Sequence, residues 1–305
     1  MIYKNKYVSL LSDAGFKAVY ADPRNKSLLI DLINELLPPQ ANVADIVEYC
    51  DREQLAETVD SKRPVLDLIC RGKSGETFVV ELQKRYYEDY FQRMVYYGAG
   101  AYHNPLKKGE GYFQLKPVYV ISILDHTLKH EDESQWDSDR IISHYEFMET
   151  RTKELKKSTI SITFAEMPRF TKERGECATY RDMLFHVFRD GKQWEDIPDE
   201  FKKDKRICAV MDACEVAGFD ADKKLKFDLE MLNEFDRENQ LRQEREKGLS
   251  QGREEGLQQG LQRGLQQGLE KGKMEIAGNM LKQGYDINMV SSVTGLSVEV
   301  LSALM

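Results

Sequence analysis

Two strand-like runs joined by a short turn constrain this chain more than any other segment. Residues 64–70 and 77–83 are rich in Val, Leu, Ile and Phe, and residues 73–75 between them are Lys, Ser and Gly. Such runs on either side of a glycine-containing turn are typical of a β-hairpin. In a three-residue loop, Gly75 would supply the positive φ that this kind of turn requires. The segment therefore predicts two antiparallel strands of one sheet.

The register of this hairpin would bring two acids together. With a loop of residues 73–75, Asp67 lies directly opposite Glu81, with Cβ atoms about 5 Å apart. The two carboxylates would repel each other among aliphatic neighbours, and a divalent cation between them would remove that repulsion. Oxygen ligands at this spacing suit Mg²⁺, which keeps several waters and also binds phosphate oxygens. A longer turn would shift the register and leave one acid in solvent, and the spacing alone leaves both arrangements open.

Hydrophobic periodicity predicts helices around the hairpin. Residues 13–37 contain a short helix followed by an amphipathic helix, which two prolines end. A tyrosine-rich helix is expected over residues 86–103, strands over residues 115–124 and 158–164, and several helices over residues 178–239. This order predicts an α/β fold in which helices flank a mixed sheet, followed by a helical C-terminal region.

The hairpin and its flanks resemble a known family. Asp67, thirteen intervening residues and the segment 81–83 (Glu-Leu-Gln) are similar to the signature of the PD-(D/E)XK nuclease superfamily. The resemblance to the recombination-promoting nuclease/transposase family covers residues 10–130, and the tail also shares that family's Gly-x-x-x repeat. The matching motifs are Phe16-Lys17-Ala18-Val19-Tyr20, Leu28-Leu29, Leu32-Ile33-Asn34, Leu66-Asp67, Gly75, Val80-Glu81-Leu82-Gln83, Arg93, Tyr96-Tyr97, Gly109, Tyr112 and Pro117-Val118-Tyr119.

This resemblance implies a restriction-endonuclease-like core and a Mg²⁺-dependent DNA endonuclease that promotes recombination with little sequence preference. Mn²⁺ would be a substitute ion. Asp67 and Glu81 would be the metal ligands. Gln83 stands where the superfamily pattern has Lys, so it can orient the attacking water but supplies no charge. Arg93, on the next helix, is expected to supply that charge to the phosphate.

Other candidate residues are less well defined by the sequence. The superfamily often adds an acid from the first helix, and the sequence does not choose between Asp31 and Glu35. Aromatic side chains of the tyrosine-rich helix are predicted to lie mostly in the core, while exposed members could stack on DNA bases. They are Tyr86, Tyr87, Tyr90, Phe91, Tyr96, Tyr97 and Tyr102.

Two other functions stay open at this point. The chain could be an assembly or interaction protein that keeps the nuclease fold without the chemistry, which the absent lysine favours. The presence of both Asp67 and Glu81 speaks against that interpretation. A transposase, the third possibility, would need strand-transfer activity, which the sequence does not indicate.

A glycine repeat dominates the C-terminal region. Glycine recurs at every fourth position from 248 to 272, and Leu follows five of these seven glycines. Each interior Gly costs about 1 kcal/mol relative to Ala, so an isolated helix of this composition would be unstable. We therefore expect residues 240–272 to form a helix that pairs with a second copy, which would make the protein a homo-oligomer. A flexible linker is the alternative.

These patterns predict three parts of the chain. They are a nuclease-like domain with helical additions over residues 1–235, a Gly-x-x-x repeat helix or linker over residues 236–273, and a small helical tail over residues 274–305. The tail resembles a helix-turn-helix, in which Gly284 ends one helix and Asp286 and Ser297 cap the next two. Because one Lys and no Arg follow Lys273, packing or assembly is expected of the tail rather than base recognition.

Composition and charge narrow the class of protein. Hydrophobic residues make up 41% and charged residues 31% of the chain, which suits a folded protein with a water-facing surface. No apolar run is long enough for a membrane span, and the N-terminus lacks a secretory signal. Five scattered cysteines without a Cys-x-x-Cys pair indicate reduced thiols and a cytoplasmic location.

Charge is unevenly distributed along the chain. The formal net charge of −8 argues against a generally basic surface. Residues 62–109 nevertheless carry nine Lys and Arg against five Asp and Glu, so a local basic groove for DNA is expected around the hairpin. Residues 131–139 hold five acids and no base, which is typical of an exposed loop.

Overall fold

A computed structural model describes residues 5–38, 41–50, 66–103, 112–130, 140–156 and 159–304. The chain divides into two compact units, Met1–Glu234 and Phe235–Met305. The helices are α1 (Asp13–Tyr20), α2 (Lys26–Leu36), α3 (Tyr90–His103), α4 (Tyr180–Asp190), α5 (Lys205–Cys214), α6 (Ala221–Lys282), α7 (Ile287–Thr294) and α8 (Val298–Ser302). The strands are β1 (Ile46–Tyr49), β2 (Leu68–Gly72), β3 (Thr77–Gln83), β4 (Val118–Leu124), β5 (Ile142–Glu146) and β6 (Ile160–Glu166).

The six strands form one mixed sheet in the order β1-β2-β3-β4-β6-β5. Neighbouring strands from β1 to β3 run antiparallel, whereas β3, β4 and β6 run parallel. The edge strand β5 is antiparallel to β6. Helix α3 connects the parallel strands β3 and β4, since a parallel pair needs a crossover. The mixed sheet with flanking helices confirms the α/β architecture predicted from the sequence.

The sheet separates two hydrophobic layers. On one face, α1, α2, α4 and α5 pack with Phe78, Val80 and Leu82 of β3. On the other face, α3 packs against Val79 of β3 and against buried residues of β4 and β6. Because side chains alternate along a strand, Glu81 faces the α3 layer. The central strand therefore carries an acid into a largely apolar interface, in which Ser122 of β4 is also buried and hydrogen-bonded to Tyr90.

The predicted hairpin register is confirmed. Leu68 pairs with Val80 and Cys70 pairs with Phe78, so the same register places Asp67 opposite Glu81. The turn occupies residues 73–75, and Gly75 has a φ of +90°. Both hydrogen bonds that close the turn are formed, from Gly72 N to Glu76 O at 2.8 Å and from Gly75 N to Gly72 O at 3.0 Å.

Local signals explain the two N-terminal helices. Ser12 caps α1, because its hydroxyl accepts a hydrogen bond from Gly15 N at 3.0 Å. Helix α2 buries one apolar stripe against the core, formed by Leu28, Leu29, Leu32, Ile33 and Leu36. The predicted short helix followed by an amphipathic helix is therefore confirmed.

Two short strands of the sheet were not predicted from the sequence. The strands β1 and β5 have four and five residues, too few for a clear alternation of polarity. The acidic segment of residues 131–139 lies outside the described residues. Within the described ranges, no helix is both long and apolar enough to cross a membrane.

The second unit contains most of α6, from Phe235 onward, and the two short helices α7 and α8. A small core of Ala277, Val290 and Leu301 joins them. The predicted helix ends are confirmed, since Gly284 has a φ of +85° and the Asp286 carboxylate accepts from Asn288 N at 3.0 Å. All seven glycines of the repeat lie inside α6, so the helical interpretation holds in this structure. The predicted three-part division of the chain stays a prediction.

Candidate active site

Asp67 and Glu81 occupy neighbouring strand positions and are fixed by each other's main chain. The N–H of Asp67 donates to Glu81 Oε1 at 3.1 Å, and the N–H of Leu82 donates to Asp67 Oδ2 at 2.9 Å. Each carboxylate therefore has one oxygen held by a backbone amide of the opposite strand. The other oxygen of each, Oδ1 of Asp67 and Oε2 of Glu81, is turned to a side-chain cation.

Burial makes the charged forms of these acids costly. Glu81 is only 3% exposed. Burial first, and then repulsion by Asp67, raises the pKa of Glu81 well above its ordinary value. Burial also raises the pKa of Asp67, and the nearby Lys17 ammonium opposes that change. Such a pair of opposed acids with raised pKa values is typical of a functional site rather than of a structural core.

Arg93 lies on the Glu81 side of the pair. Helix α3 brings its Nη2 to 4.0 Å from Glu81 Oε2. Its Nε donates to the Tyr97 hydroxyl at 2.6 Å, and its guanidinium lies over the rings of Tyr90 and Tyr97. Three contacts therefore orient this cation toward the acids. The structure brings together the predicted residues Asp67, Glu81 and Arg93.

Lys17 lies on the Asp67 side, and no role was predicted for it from the sequence. Its Nζ is 3.5 Å from Asp67 Oδ1 and 3.2 Å from Glu230 Oε2. The side chain is 13% exposed. Asp13, one turn earlier on α1, acts on Asp67 as a like charge and contributes to its raised pKa. Helix α1 thus contributes both a cation and an acid to the surroundings of Asp67.

Acids of α6 contact two lysines of this region. Glu230 pairs with Lys17, and Glu234 pairs with Lys84. The two acids are four residues apart and therefore share one face of the helix. The Glu234 side chain is 14% exposed, so this contact is largely screened from water.

Gln83 follows Glu81 by two residues on β3, and its Nε2 donates to the main-chain oxygen of Arg85 at 3.0 Å. Its role of orienting the attacking water stays a prediction. Lys84, the next residue along the chain, pairs with Glu234 of α6.

Asp31 and Glu35, the two acids left open on the amphipathic helix, lie in a separate network. Glu35 pairs with Arg181 at 3.0 Å. Burial raises the pKa of Asp31, and Arg206 is its nearest compensating charge. Both acids therefore interact with the layer of α4 and α5. The acid that acts on Asp67 from the first helix is Asp13 instead.

The spacing of Asp13 and Lys17 in the sequence predicts that they share a helix face, but it does not predict that they lie near Asp67. They lie four residues apart and hence on one face of α1. Their proximity to Asp67 is a contact across about fifty residues of sequence, and the Lys17–Glu230 pair spans 213 residues. No local pattern reports such contacts.

The aromatic side chains of residues 86–102 divide between core and surface. Helix α3 begins at Tyr90, so Tyr86 and Tyr87 precede it, unlike in the predicted helix of residues 86–103. Tyr90 is 1% exposed and Tyr97 is 7% exposed, which confirms the core assignment for these two. Others are exposed, namely Tyr86, Tyr87, Phe91 and Tyr96. The Nζ atom of Lys129 lies over the ring of Tyr86, 5.2 Å from the ring centroid. This surface combines flat rings with positive charge, a combination suited to nucleic-acid bases and phosphates.

The donor set fits a hard divalent cation. Asp67 Oδ1 and Glu81 Oε2 are the oxygens left by the backbone hydrogen bonds, and Mg²⁺ is commonly held by one or two carboxylates with waters and phosphate oxygens. In the described part of the chain, no group of three or more His, Cys, Asp or Glu residues is arranged for a metal ion. The fit therefore rests on two protein ligands.

Comparison with known proteins identifies the family. The model of the PD-(D/E)XK nuclease family transposase matches residues 10–244. The model of the Rpn/YhgA-like nuclease family, C-terminal HTH domain, matches residues 270–305. No curated protein and no solved structure matches the chain.

The two matches agree with the structure described above. The second match confirms the helix-turn-helix predicted for the tail, a module typical of DNA-binding proteins. The expectation that this tail serves packing or assembly stays a prediction. The first match covers most of the chain, including the hairpin and its flanking helices. The observed mixed sheet with flanking helices is consistent with the PD-(D/E)XK-like core of that family. The chain therefore belongs to the PD-(D/E)XK nuclease family transposases, and its first unit has a PD-(D/E)XK-like core.

Proposed function

We propose that this protein is a divalent-metal-dependent DNA endonuclease that promotes recombination and cuts with little sequence preference. One observation carries the proposal. Glu81 is buried and the Asp67 side chain is 13% exposed, and each acid is fixed through one oxygen by the backbone of the opposite segment. Opposed acids destabilise an apolar interface, so a binding role explains their position better than a structural one.

The reaction adds water across a phosphodiester. The water oxygen bonds to phosphorus, the bond from phosphorus to one sugar oxygen breaks, and that oxygen takes up a proton. Asp67 and Glu81 would hold Mg²⁺, or Mn²⁺ in its place, and the ion when bound would activate the attacking water and withdraw charge from the phosphate. Arg93 is held by Tyr97 so that its guanidinium can meet the phosphate charge beside Glu81.

Contacts to DNA would be made without base recognition. The exposed rings of Tyr86, Tyr87 and Tyr96 offer surfaces on which any base can stack. Arg93 and Lys129 would contact phosphates, which carry no sequence information. These groups support the expectation of little sequence preference. The helix-turn-helix match supports DNA as the partner, although the low positive charge of that segment favours an assembly role for it.

Cleavage of supercoiled plasmid tests the proposal. Wild-type protein should nick or linearise it with Mg²⁺ or Mn²⁺ and not with chelator. Asp67→Asn and Glu81→Gln should each abolish cleavage, because they remove ligand charge at nearly constant shape. Asp45→Asn and Glu48→Gln are matched controls in exposed ion pairs, and they should cleave normally. Cleavage by either site variant at the wild-type rate would refute the site.

The same experiment separates the competing functions. A protein that keeps the fold for assembly alone would cleave nothing under any metal condition, and Gln83 in the lysine position is the observation in favour of that interpretation. A transposase would join a labelled DNA end to a target plasmid. Strand transfer that depends on Asp67 would favour the transposase over the hydrolytic nuclease.

Self-association belongs to the same proposal. The added Cβ of every repeat glycine from Gly248 to Gly272 would meet no atom within 4 Å in the single chain. Leu257, Leu261 and Leu265 are 73–76% exposed. A helix with bare glycines and exposed leucines is suited to a second copy of itself. Two copies would also supply two sites for the two strands of a duplex.

A further inference from the structure

We propose that Lys17 is a catalytic residue that supplies positive charge to the scissile phosphate, in place of the lysine absent at position 83. This inference rests on the proposed nuclease function and assigns a group that the strand motif does not contain. The geometry that carries it is the approach of Lys17 to Asp67 from a different element, helix α1.

Among the described residues, Lys17 is the cation that contacts Oδ1 of Asp67, the oxygen that does not accept the Leu82 amide. Its Nζ is 3.5 Å from Asp67 Oδ1, while Asp67 Oδ2 is occupied by the Leu82 amide. The capped start of α1 fixes the helix, since Ser12 accepts from Gly15 N. A phosphate oxygen bound to the same metal ion as Asp67 would lie within reach of the Lys17 ammonium. Gln83, by contrast, directs its amide to the Arg85 carbonyl.

Two other cations of the described residues, Arg93 and Lys84, lie nearby, and each has partners of its own. Arg93 lies on the opposite side of the pair, 4.0 Å from Glu81 Oε2, and it is bound to the Tyr97 hydroxyl. Lys84 pairs with Glu234. Lys17 and Arg93 therefore flank the two acids from opposite sides. This arrangement gives each carboxylate its own cation.

The chemical role of Lys17 is electrostatic. As water adds to phosphorus and the bond to the sugar oxygen breaks, negative charge grows on the phosphate oxygens. An ammonium held beside them stabilises that charge without giving up a proton. Removing a single preorganised donor of this kind typically costs about 100-fold in rate or more.

Glu230 defines the state of Lys17 before DNA binds. Its Oε2 accepts from Lys17 Nζ at 3.2 Å, and its side chain is 29% exposed. A phosphate can replace this carboxylate because both present anionic oxygens to the same ammonium. The structural alternative is that Lys17 only neutralises the buried Asp67, and the experiment must separate the two roles.

The test combines Lys17→Met with a relocated charge. We expect Lys17→Met to lower plasmid cleavage about 100-fold. Mn²⁺ affinity, measured by calorimetry on protein without DNA, should stay equal or become tighter, because a competing cation leaves Asp67. Lys17→Met combined with Gln83→Lys should recover most of the lost rate, since the new lysine restores the charge from β3.

The outcomes separate a catalytic role from a structural one. Loss of Mn²⁺ binding together with activity, and no recovery on adding Gln83→Lys, would show that Lys17 only positions Asp67. Cleavage by Lys17→Met at the wild-type rate would also overturn the inference. If Lys17→Met does not fold, Lys17→Met with Glu230→Gln removes both partners of the pair, and the same readouts apply.

Failure of the inference is distinct from failure of the proposed function. If Asp67→Asn is inactive while Lys17→Met is fully active, the nuclease site stands and only the role of Lys17 is wrong. If the wild-type protein cleaves no DNA with any divalent metal, both fail together.

Discussion

The main-chain N–H of Asp67 donates a hydrogen bond to Oε1 of Glu81 at 3.1 Å across the β2–β3 hairpin. The return bond, from Leu82 N to Asp67 Oδ2, is 2.9 Å long. The register of the hairpin therefore fixes one oxygen of each candidate ligand through the main chain, while Lys17 and Arg93 contact the other two oxygens. In Asp67→Asn or Glu81→Gln, the carbonyl oxygen of the new side-chain amide can still accept the hydrogen bond from the same backbone N–H.

The stability of the metal-free protein should report on Glu81 through its pH dependence. Burial raises the folded-state pKa of Glu81 above its ordinary value of 4.5. A raised carboxylate pKa gives stability that is complete below the unfolded-state pKa and is lost as pH rises through the folded-state pKa. Each unit of that elevation costs about 1.4 kcal/mol at high pH.

Glu81→Gln removes this cost, so we expect a higher Tm than wild type at pH 8 in chelator. A gain of about 1 kcal/mol corresponds to roughly 2–4 °C for a unit of this size. The difference should shrink as pH falls through 4.5, because wild-type Glu81 becomes protonated in both states below that pH. Glu48→Gln, in an exposed ion pair, is the control and should show no such pH-dependent gain. A Tm difference that is constant with pH would contradict the burial argument.

Gln83→Lys alone should keep the fold and retain or raise cleavage. The Gln83 amide makes one hydrogen bond, to the Arg85 carbonyl, and its side chain is partly exposed, so a lysine can be accommodated. The added cation would restore the charge of the general superfamily pattern. Plasmid cleavage rates and Mn²⁺ calorimetry check this expectation. Loss of Mn²⁺ binding in this variant would mean that Gln83 is itself a ligand of the ion.

Two glycines of α3 should respond in opposite ways to alanine. A Cβ at Gly98 would lie 2.6 Å from Ile160 Cγ2 and 3.1 Å from Val120 Cγ2, whereas a Cβ at Gly100 would meet nothing within 4 Å. Gly98→Ala should therefore destabilise the first unit by about 1–3 kcal/mol through overpacking. Gly100→Ala should be neutral or stabilise it by up to about 1 kcal/mol.

Chemical unfolding of the two variants measures this difference, and cleavage assays extend it to the site. Because α3 carries Arg93, a shift of the helix at Gly98 should also lower activity. Equal stability of Gly98→Ala and Gly100→Ala would show that α3 does not pack closely on β4 and β6 as described.

The acids Asp31 and Glu35 should be dispensable for cleavage. Glu35 is bound to Arg181, and Asp31 is compensated by Arg206, so neither faces the site. Asp31→Asn and Glu35→Gln should cut plasmid at the wild-type rate, while Asp13→Asn should alter metal affinity because Asp13 acts on Asp67. A large loss of cleavage in Glu35→Gln with unchanged stability would return it to the site.

Sequence reasoning succeeded where the determining interactions are local. The turn with Gly75 fixed the hairpin register, and that register placed Asp67 opposite Glu81. It could not place Lys17 beside Asp67, because that contact depends on how α1 packs against the sheet. The contacts of Asp31 and Glu35 could not be predicted for the same reason. The periodicity of α2 predicts the helix, but not that these two acids interact with Arg206 of α5 and Arg181 of α4. Residues in contact through the tertiary fold carry no spacing that a single sequence reveals.

The glycine repeat offers the last prediction, because its two interpretations require opposite effects of alanine. Gly256, Gly260 and Gly264 each have open space around an added Cβ in the single chain. In a solitary helix, changing all three to Ala should raise helix stability by about 1 kcal/mol per site. In a helix paired with a second copy, the new methyl groups would hold the two backbones apart and weaken the oligomer.

We expect the second result for the full-length protein with Gly256, Gly260 and Gly264 all changed to Ala. Light scattering at micromolar concentration should show a larger species for wild type than for this triple variant, and Gly100→Ala should leave the oligomer intact because it lies in α3. The leucines that follow the glycines would lose their packing partners as the helices separate, so the effect on association should exceed that of any single methyl group. If wild type and the triple variant are both monomers, and the variant unfolds at a higher temperature, then the repeat is a solitary helix and self-association through it is wrong.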